Sequence, residues 1–334
     1  MHEGSVFSLY QRRGDKAVSM KGNSVTKVLK THMGVLITLL ALWVFFSIAS
    51  PWFSSLFNML NILNHMTITL ILSLGMVFVI ASGGIDLSVG SILGFTGIVM
   101  AMLFKANVPI VVTVILGFAV GGGIGALTGL IISKFRLQPF IVTLGMLSIV
   151  RGLALVLSRG LPILGFPPRF THFFAGTAGI PTNIYIMVFL VILVAIIANR
   201  TRFGIYARCI GGSEKSAILC GINTTRIKIL IYMMQGLFAV VASLIFMSMM
   251  DAAEPLAGLQ TEWLEAIAAP IIGGNSLSGG VLTVFGAVIG ALILSTIRSG
   301  VNVLGVQAFA QQLFIGLIII ISVIVDSLRQ RKKR

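Results

Sequence analysis

The sequence predicts an all-α polytopic membrane protein. Hydrophobic residues make up 57% of its 334 positions and charged residues only 10%, against roughly 25% charged in soluble domains. The apolar residues fall in continuous runs near the roughly 20 residues that a lipid-spanning helix requires. The runs do not alternate with period two, which excludes a transmembrane barrel.

Ten crossings follow in chain order: 34–52, 62–82, 88–104, 109–133, 138–158, 183–199, 228–250, 262–274, 281–298 and 307–326. The first ends in small residues, as a signal peptide does. Its polar leader is longer than an n-region, so an uncleaved helix is expected. Residues 159–182 hold Pro162, Pro167, Pro168 and Pro181 among four phenylalanines, too broken to span, and are expected at the outer mouth. The eighth crossing is short and holds Glu262, Glu265 and Pro270. The organisation is then an N-terminal cytoplasmic tail at 1–33, one transmembrane domain at 34–326 with a cytoplasmic loop at 200–227, and a basic tail at 327–334.

The net charge of +15 is placed at segment ends. With both termini cytoplasmic, 19 of the 24 Lys and Arg residues lie on one side, the bias of the positive-inside rule. The basic residues sit at the ends of apolar runs, the pattern of cytoplasmic loops, so nucleic acid is not expected as a partner. Cys209 and Cys220, both in the 200–228 segment, are expected to be unpaired in a reducing compartment.

Glycine recurs at helical spacing. Gly117, Gly121, Gly125 and Gly129 form one ridge, and Gly90 with Gly94 and Gly286 with Gly290 repeat the pattern. In lipid, small-xxx-small ridges let helix backbones approach closely.

GGIDLSVG at 83–90 has a partner in GGNSLSGG at 273–280, with five of eight positions shared. Each follows one apolar run and precedes another, and the topology places both on the same side, a candidate internal repeat. Glycine doublets there mark helix breaks, so Gly83, Gly84, Gly273, Gly274 and Asn275 are candidate break residues. Ser88 and Ser278 are candidate caps or partners for freed backbone groups. Asp86 has two readings. It is either a helix-start anchor, stabilised by the dipole and free N–H groups, or a substrate or ion site, since a buried carboxylate is costly. The second copy has Asn275-Ser276 in place of Ile85-Asp86, so the break itself does not need the charge.

The segment 200–228 contains a short helix signal. Ser213 suits the N-cap, Glu214 the first turn and Gly221 the residue beyond the C-terminus. About seven residues do not hold a helix alone in water. Ala217, Ile218 and Leu219 therefore need a surface, either the protein's own helices or a soluble partner.

GGIDLSVGSILGFTG (83–97), IGGSEKSAILCGI (210–222), EAIAAPIIGGNSLSGG (265–280) and NVLGVQAFAQQLFIGLIIIISVIVD (302–326) resemble the membrane permease subunits of ribose-type ABC sugar importers. The likeness runs in order along nearly the whole chain after residue 60. It implies about ten transmembrane helices, two permease copies per complex (homodimer or heterodimer), a cytoplasmic ATP-binding subunit and a periplasmic sugar-binding protein, in a bacterial inner membrane. It also implies that 210–222 docks on the ATPase, through Gly211, Gly212, Ser213, Glu214, Lys215, Ala217 and Gly221. Ser213, Pro270, Val281, Leu282, Val240 and Ser243 depart from the family's usual residues.

No GxxxxGK[ST] loop occurs, so this chain is expected to bind no cofactor itself, with ATP and Mg held by a partner. A self-energised secondary transporter or channel is the alternative, and it needs intramembrane ionisable groups. Asp86, Glu262 and Glu265 are the candidates. The four histidines are scattered without a metal-ligand spacing, which argues against an enzyme or a metal site. Asn61, Asn64, Thr67, Thr69 and Ser73 on the second span either line the solute pathway or bond helix to helix. Arg151, near mid-helix, is expected to face the bundle interior or to snorkel.

Overall fold

The computed structural model describes residues 24–306 apart from 177 and 178, with isolated positions between 313 and 324. The N-terminal 23 residues and nearly all of the tenth expected crossing lie outside the described residues.

The described residues are mostly helical. The elements are α1 (Ser24–Ala49), a 3-10 turn (Pro51–Ser54), α2 (Leu56–Ala81), α3 (Val89–Lys105), α4 (Ile110–Lys134), α5 (Pro139–Ser158), β1 (Ile163–Leu164), α6 (Pro168–Ala175), α7 (Thr182–Arg200), α8 (Arg202–Gly212), α9 (Glu214–Leu219), α10 (Thr224–Met250), β2 (Ala252–Ala253), α11 (Glu262–Ile272) and α12 (Val284–Val303). Among the described residues, α2, α4, α5, α7, α10 and α12 are long and apolar enough to cross a membrane, and Met33–Ala49 and α3 are apolar but shorter. The expectation of ten full crossings is therefore not matched one for one. The eleven residues of α11 rise only about 16 Å, roughly half of a 30 Å hydrocarbon core.

α2 is the central element. In its most apolar stretch 83% of residues are buried inside the protein, against 28% in α4, α5 and α7. α2 packs on α7, α10, α11 and α12, and α10 packs along α4. Lipid tails are as apolar as leucine, so the hydrophobic effect does not drive these contacts; close packing does. The glycine ridge of α4 supplies it. A Cβ on Gly125 would lie 2.2 Å from the Tyr232 carbonyl oxygen of α10, and one on Gly121 would lie 3.0 Å from that of Gly236.

A non-helical segment meets the start of a helix inside the bundle. A Cβ on Gly90, in the first turn of α3, would lie 2.1 Å from the Gly258 carbonyl oxygen, and one on Gly94 would lie 2.9 Å from that of Ala257. The segment between β2 and α11 thus runs against the start of α3. Irregular backbone at membrane depth is tolerated where protein covers it. Side chains and neighbouring backbone satisfy it here: the Thr143 hydroxyl donates to the Ile85 carbonyl at 3.2 Å, and the Gly84 N–H to Val79 at 2.9 Å. The broken 159–182 stretch forms α6 and pairs β1 with β2, antiparallel, Ile163 opposite Ala253.

Candidate functional site

The two helix breaks and the 200–228 segment meet at one point. The Gly280 N–H donates to the Ala81 carbonyl at 2.9 Å, so the end of the second break is bonded to the end of α2. Gly211, in the last turn of α8, lies against both. A Cβ there would sit 1.9 Å from the Ala81 oxygen and 2.6 Å from the Gly280 nitrogen, and one on Gly279 would sit 2.8 Å from the Gly211 Cα. Gly83, at φ +81°, is beside the same Cα. Both breaks therefore lie on one side of the bundle, against 200–228. The second doublet does not join them. Gly273 packs on Gly286 of α12, and it is Gly279 and Gly280 that reach Gly211. Gly212, its neighbour in the expected docking segment, would have nothing within 4 Å of its Cβ.

Asp86 is fully buried. Its Oδ1 accepts from the Ser88 N–H at 2.8 Å and the Ser88 hydroxyl at 2.6 Å. That corrects the role expected of Ser88: its own backbone is helical and its side chain caps nothing. The carboxylate turns the chain into α3, and Ser88 donates to it. Asp86 Oδ2 and the Tyr232 hydroxyl, both buried, lack hydrogen-bond partners among the described residues. The second copy repeats the turn with a hydroxyl for the carboxylate: the Ser278 N–H donates to Ser276 Oγ at 3.3 Å. Ser278 does not cap the next helix, because the break runs on to Thr283, whose side chain accepts from the Gly286 N–H at 3.1 Å. Asn275 clasps that longer loop. Its Oδ1 accepts from the Thr283 N–H at 2.8 Å and its Nδ2 donates to the Thr283 and Pro270 carbonyls, each at 3.0 Å.

The short helix α9 forms at Glu214–Leu219. Ser213 Oγ accepts from the Ser216 N–H at 3.2 Å, and Gly221 takes φ +79° past its end. Ala217 is buried, so the protein's own body holds the helix, but Leu219 is 88% exposed and Ile218 54%. Glu214 pairs with Lys228 at 2.7 Å, while Lys215 faces solvent. A second, longer helix, α8, fills the first part of the segment where a loop was expected, so Gly211 and Gly212 are helical. Cys209 and Cys220 are free and exposed.

Toward the Leu56 end of α2, polar side chains gather. Asn64 accepts from Asn183 Nδ2 of α7, which also reaches Thr67 Oγ1 at 3.3 Å. Asn64 and Thr67 therefore bond helix to helix. Ser73 donates to the Thr69 carbonyl at 2.6 Å within α2. Thr69 instead donates to Glu265 Oε2 of α11 at 2.6 Å, and Glu265 Oε1 is ion-paired with Arg298 of α12, which also donates to Thr261. Two cavities flank this cluster. One, about 270 Å³, holds His65, Thr69, Glu254, Gln260, Glu262 and Arg298 on its wall; the other, about 450 Å³, holds Asn58, Asn61, His65, Arg298, Ser299 and Asn302. Sequence reasoning singled out Asn61 and Glu265 but missed His65, Asn183 and Arg298. The signal for Arg298 was present as a cation within an apolar run. Arg151 drew attention for the same reason, yet it is exposed on α5.

The sequence model of the family described as branched-chain amino acid transport system / permease component matches residues 58–323. Among curated proteins, the chain is 39% identical over 310 residues to the ribose import permease protein RbsC of Escherichia coli K12, covering 91% of this chain and 96% of that protein. It is 39% identical to the Bacillus subtilis ribose import permease protein RbsC, covering 88% and 92%. It is 37% identical to the D-allose transport system permease protein AlsC of Escherichia coli K12, covering 85% and 88%. No solved structure matches.

Proposed function

We infer the function from one premise: the chain belongs to the family of importer permease components whose sequence model covers residues 58–323. Although that family is described by amino-acid transport, these relatives are named for ribose and allose, and a further one for L-arabinose. The chain is a multi-pass membrane protein and the permease subunit of a sugar ABC importer.

The finer reading is our proposal. The subunit sits in a bacterial inner membrane with both termini and the 200–228 segment in the cytoplasm, its body at 34–326 completed by a tenth helix at 307–326. Two permease copies, alike or sister chains, assemble with a cytoplasmic subunit that holds ATP and Mg and with a periplasmic sugar-binding protein. The ATPase docks on α8–α9, where Ile218 and Leu219 are left bare beside Lys215. Exposed leucine on a helix held by its own Ser213 cap is a preformed contact. The observation that carries the reading is the backbone contact of Gly211 with Ala81, Gly279 and Gly280. A push on α8 has no side chain to absorb it and passes directly into both helix breaks. The solute carried is a neutral pentose or hexose.

The test is to tag this chain in its own host, extract it in mild detergent and identify the co-purifying proteins by mass spectrometry. An ATP-binding subunit, lost when Leu219 is replaced by Glu, is the expected result. Self-oligomers alone, under several gentle conditions, would overturn it.

A further inference from the structure

Arg298 sits where the two polar cavities adjoin; it and His65 line both. A guanidinium carries five N–H donors in a rigid fork. Both hydrogen bonds that Arg298 makes to described residues leave from Nη2, to Glu265 Oε1 and Thr261 Oγ1. Glu265 is itself fixed by Thr69 from α2, and its side chain is 3% exposed, against 26% for that of Arg298. The arginine is therefore held at Nη2 by Thr261 and by a buried carboxylate that Thr69 fixes in turn, while Nε and Nη1 remain for a ligand. Both parallel donor pairs of a guanidinium, Nε with Nη2 and Nη1 with Nη2, include the nitrogen already engaged, so no fork is left for a carboxylate, whereas Nε and Nη1 each offer a single donor to a separate hydroxyl oxygen. Charge points the same way. Glu265 neutralises Arg298, and Glu254 and Glu262 on the wall of the smaller cavity leave the surroundings acidic, which disfavours an anion.

We propose that Arg298, oriented by Glu265, Thr69 and Thr261 and flanked by His65, forms a binding subsite within this permease for an uncharged, polyhydroxylated solute. Arg298 donates to two separate hydroxyls through Nε and Nη1, and the flanking carboxylates reject sugar acids. The inference rests on the sugar-importer reading and deepens it, because it places part of the solute selection in the permease itself. Glu265, Thr69 and Thr261 act through Arg298 and are positioning residues.

The experiment uses the assembled complex in membrane vesicles. Cys209 and Cys220 are replaced by Ser, and Gln260→Cys, on the smaller cavity, reports access by its rate of maleimide labelling. The probes are D-ribose, D-allose and L-arabinose at millimolar concentration, with D-glucuronate as the anionic control. At least one neutral sugar is expected to slow labelling several-fold and glucuronate to leave it unchanged. Arg298→Lys, which keeps the charge opposite Glu265 but loses the separate Nε and Nη1 donors, is expected to abolish the protection, scored as the ratio of labelling rates with and without sugar. His65→Leu is the second variant, since its exposed ring can be removed with little risk to the fold; it is expected to weaken protection. Protection by glucuronate equal to that by the neutral sugars would overturn the inference, as would protection undiminished in both variants. Vesicles that import a sugar that gives no protection would remove the subsite and leave the importer reading standing. Vesicles that import none of the probes would count against that reading itself.

Discussion

The N–H of Gly280 and the carbonyl of Ala81 are joined by a 2.9 Å hydrogen bond across nearly 200 residues of chain. It fastens the break after α11 to the break after α2. Gly211 rests on that bond, close enough that no side chain fits between α8 and the two breaks. Rigid backbone contact is a better transmitter than flexible side chains, because packed interfaces shift between discrete arrangements instead of deforming smoothly.

Gly211 and its neighbour Gly212 therefore separate. Gly211→Ala would place a methyl 1.9 Å from the Ala81 oxygen, and backbone on both sides has to move. Sugar uptake by the assembled complex is expected to fall at least tenfold, a barrier change of about 1.4 kcal/mol. Gly212→Ala meets nothing within 4 Å and is expected to retain uptake. Equal effects of the two substitutions on uptake would refute the transmission argument.

The proposed docking face gives a second pair. Leu219 is almost wholly exposed on α9, so Leu219→Ser is expected to change permease stability by less than about 0.5 kcal/mol. Recovery of the ATP-binding subunit in a pull-down is expected to drop sharply. Ala217→Asp, at a buried position, is expected to unseat α9 itself. Reversing Glu214 tests the electrostatic share. Its partner is Lys228, and the Glu214 side chain is 45% exposed, so the pair is worth at most about 1 kcal/mol. If Leu219→Ser leaves the pull-down intact, the ATPase docks elsewhere.

Much of this was legible in the sequence, for physical reasons. The glycine doublets marked real breaks because helices in lipid are interrupted only where protein covers the backbone. Ser213 and Gly221 marked α9 because a cap and a positive φ are local requirements. The GGIDLSVG and GGNSLSGG copies do build the same two-residue turn, at Asp86–Ser88 and Ser276–Ser278. Other features are tertiary and had no local signal. Which break glycines touch Gly211 depends on the extra residues Val281–Thr283, which move the start of α12 and put Gly279 and Gly280 at the contact. Asn64 was ambiguous until Asn183, more than a hundred residues away, supplied its partner. Arg298 was distinguishable from Arg151 only by which helix face is turned inward.

Asn64→Ala tests the helix-to-helix reading of the α2 polar row. Loss of an interhelical hydrogen bond in membranes costs about 0.6 kcal/mol, reaching about 2 in favourable cases. A small fall in the detergent-unfolding midpoint is expected, with unchanged preference among ribose, allose and arabinose in uptake. A reversal of that preference would return Asn64 to the solute pathway.

Asp86 remains the one fully buried carboxylate that lacks a cation partner among the described residues, and its geometry decides between anchor and coupling site. The bonds it makes are both to Ser88 and both end on Oδ1. An anchor needs an acceptor there and no charge, as the Ser276 hydroxyl of the second copy demonstrates. Asp86→Asn keeps the acceptor, removes the cost of burying a charge, and offers an amide donor on the side where Oδ2 lacks a partner. Uptake by this variant is expected within about twofold of the parent, a difference of only ~0.4 kcal/mol in the barrier. Asp86→Ala removes the acceptor, leaves the Ser88 N–H unpaired in the interior at about 1–3 kcal/mol, and is expected to lower both yield and uptake. If Asp86→Asn instead folds normally and abolishes transport, the carboxylate is a working part of the solute or ion path, and the turn into α3 is its support.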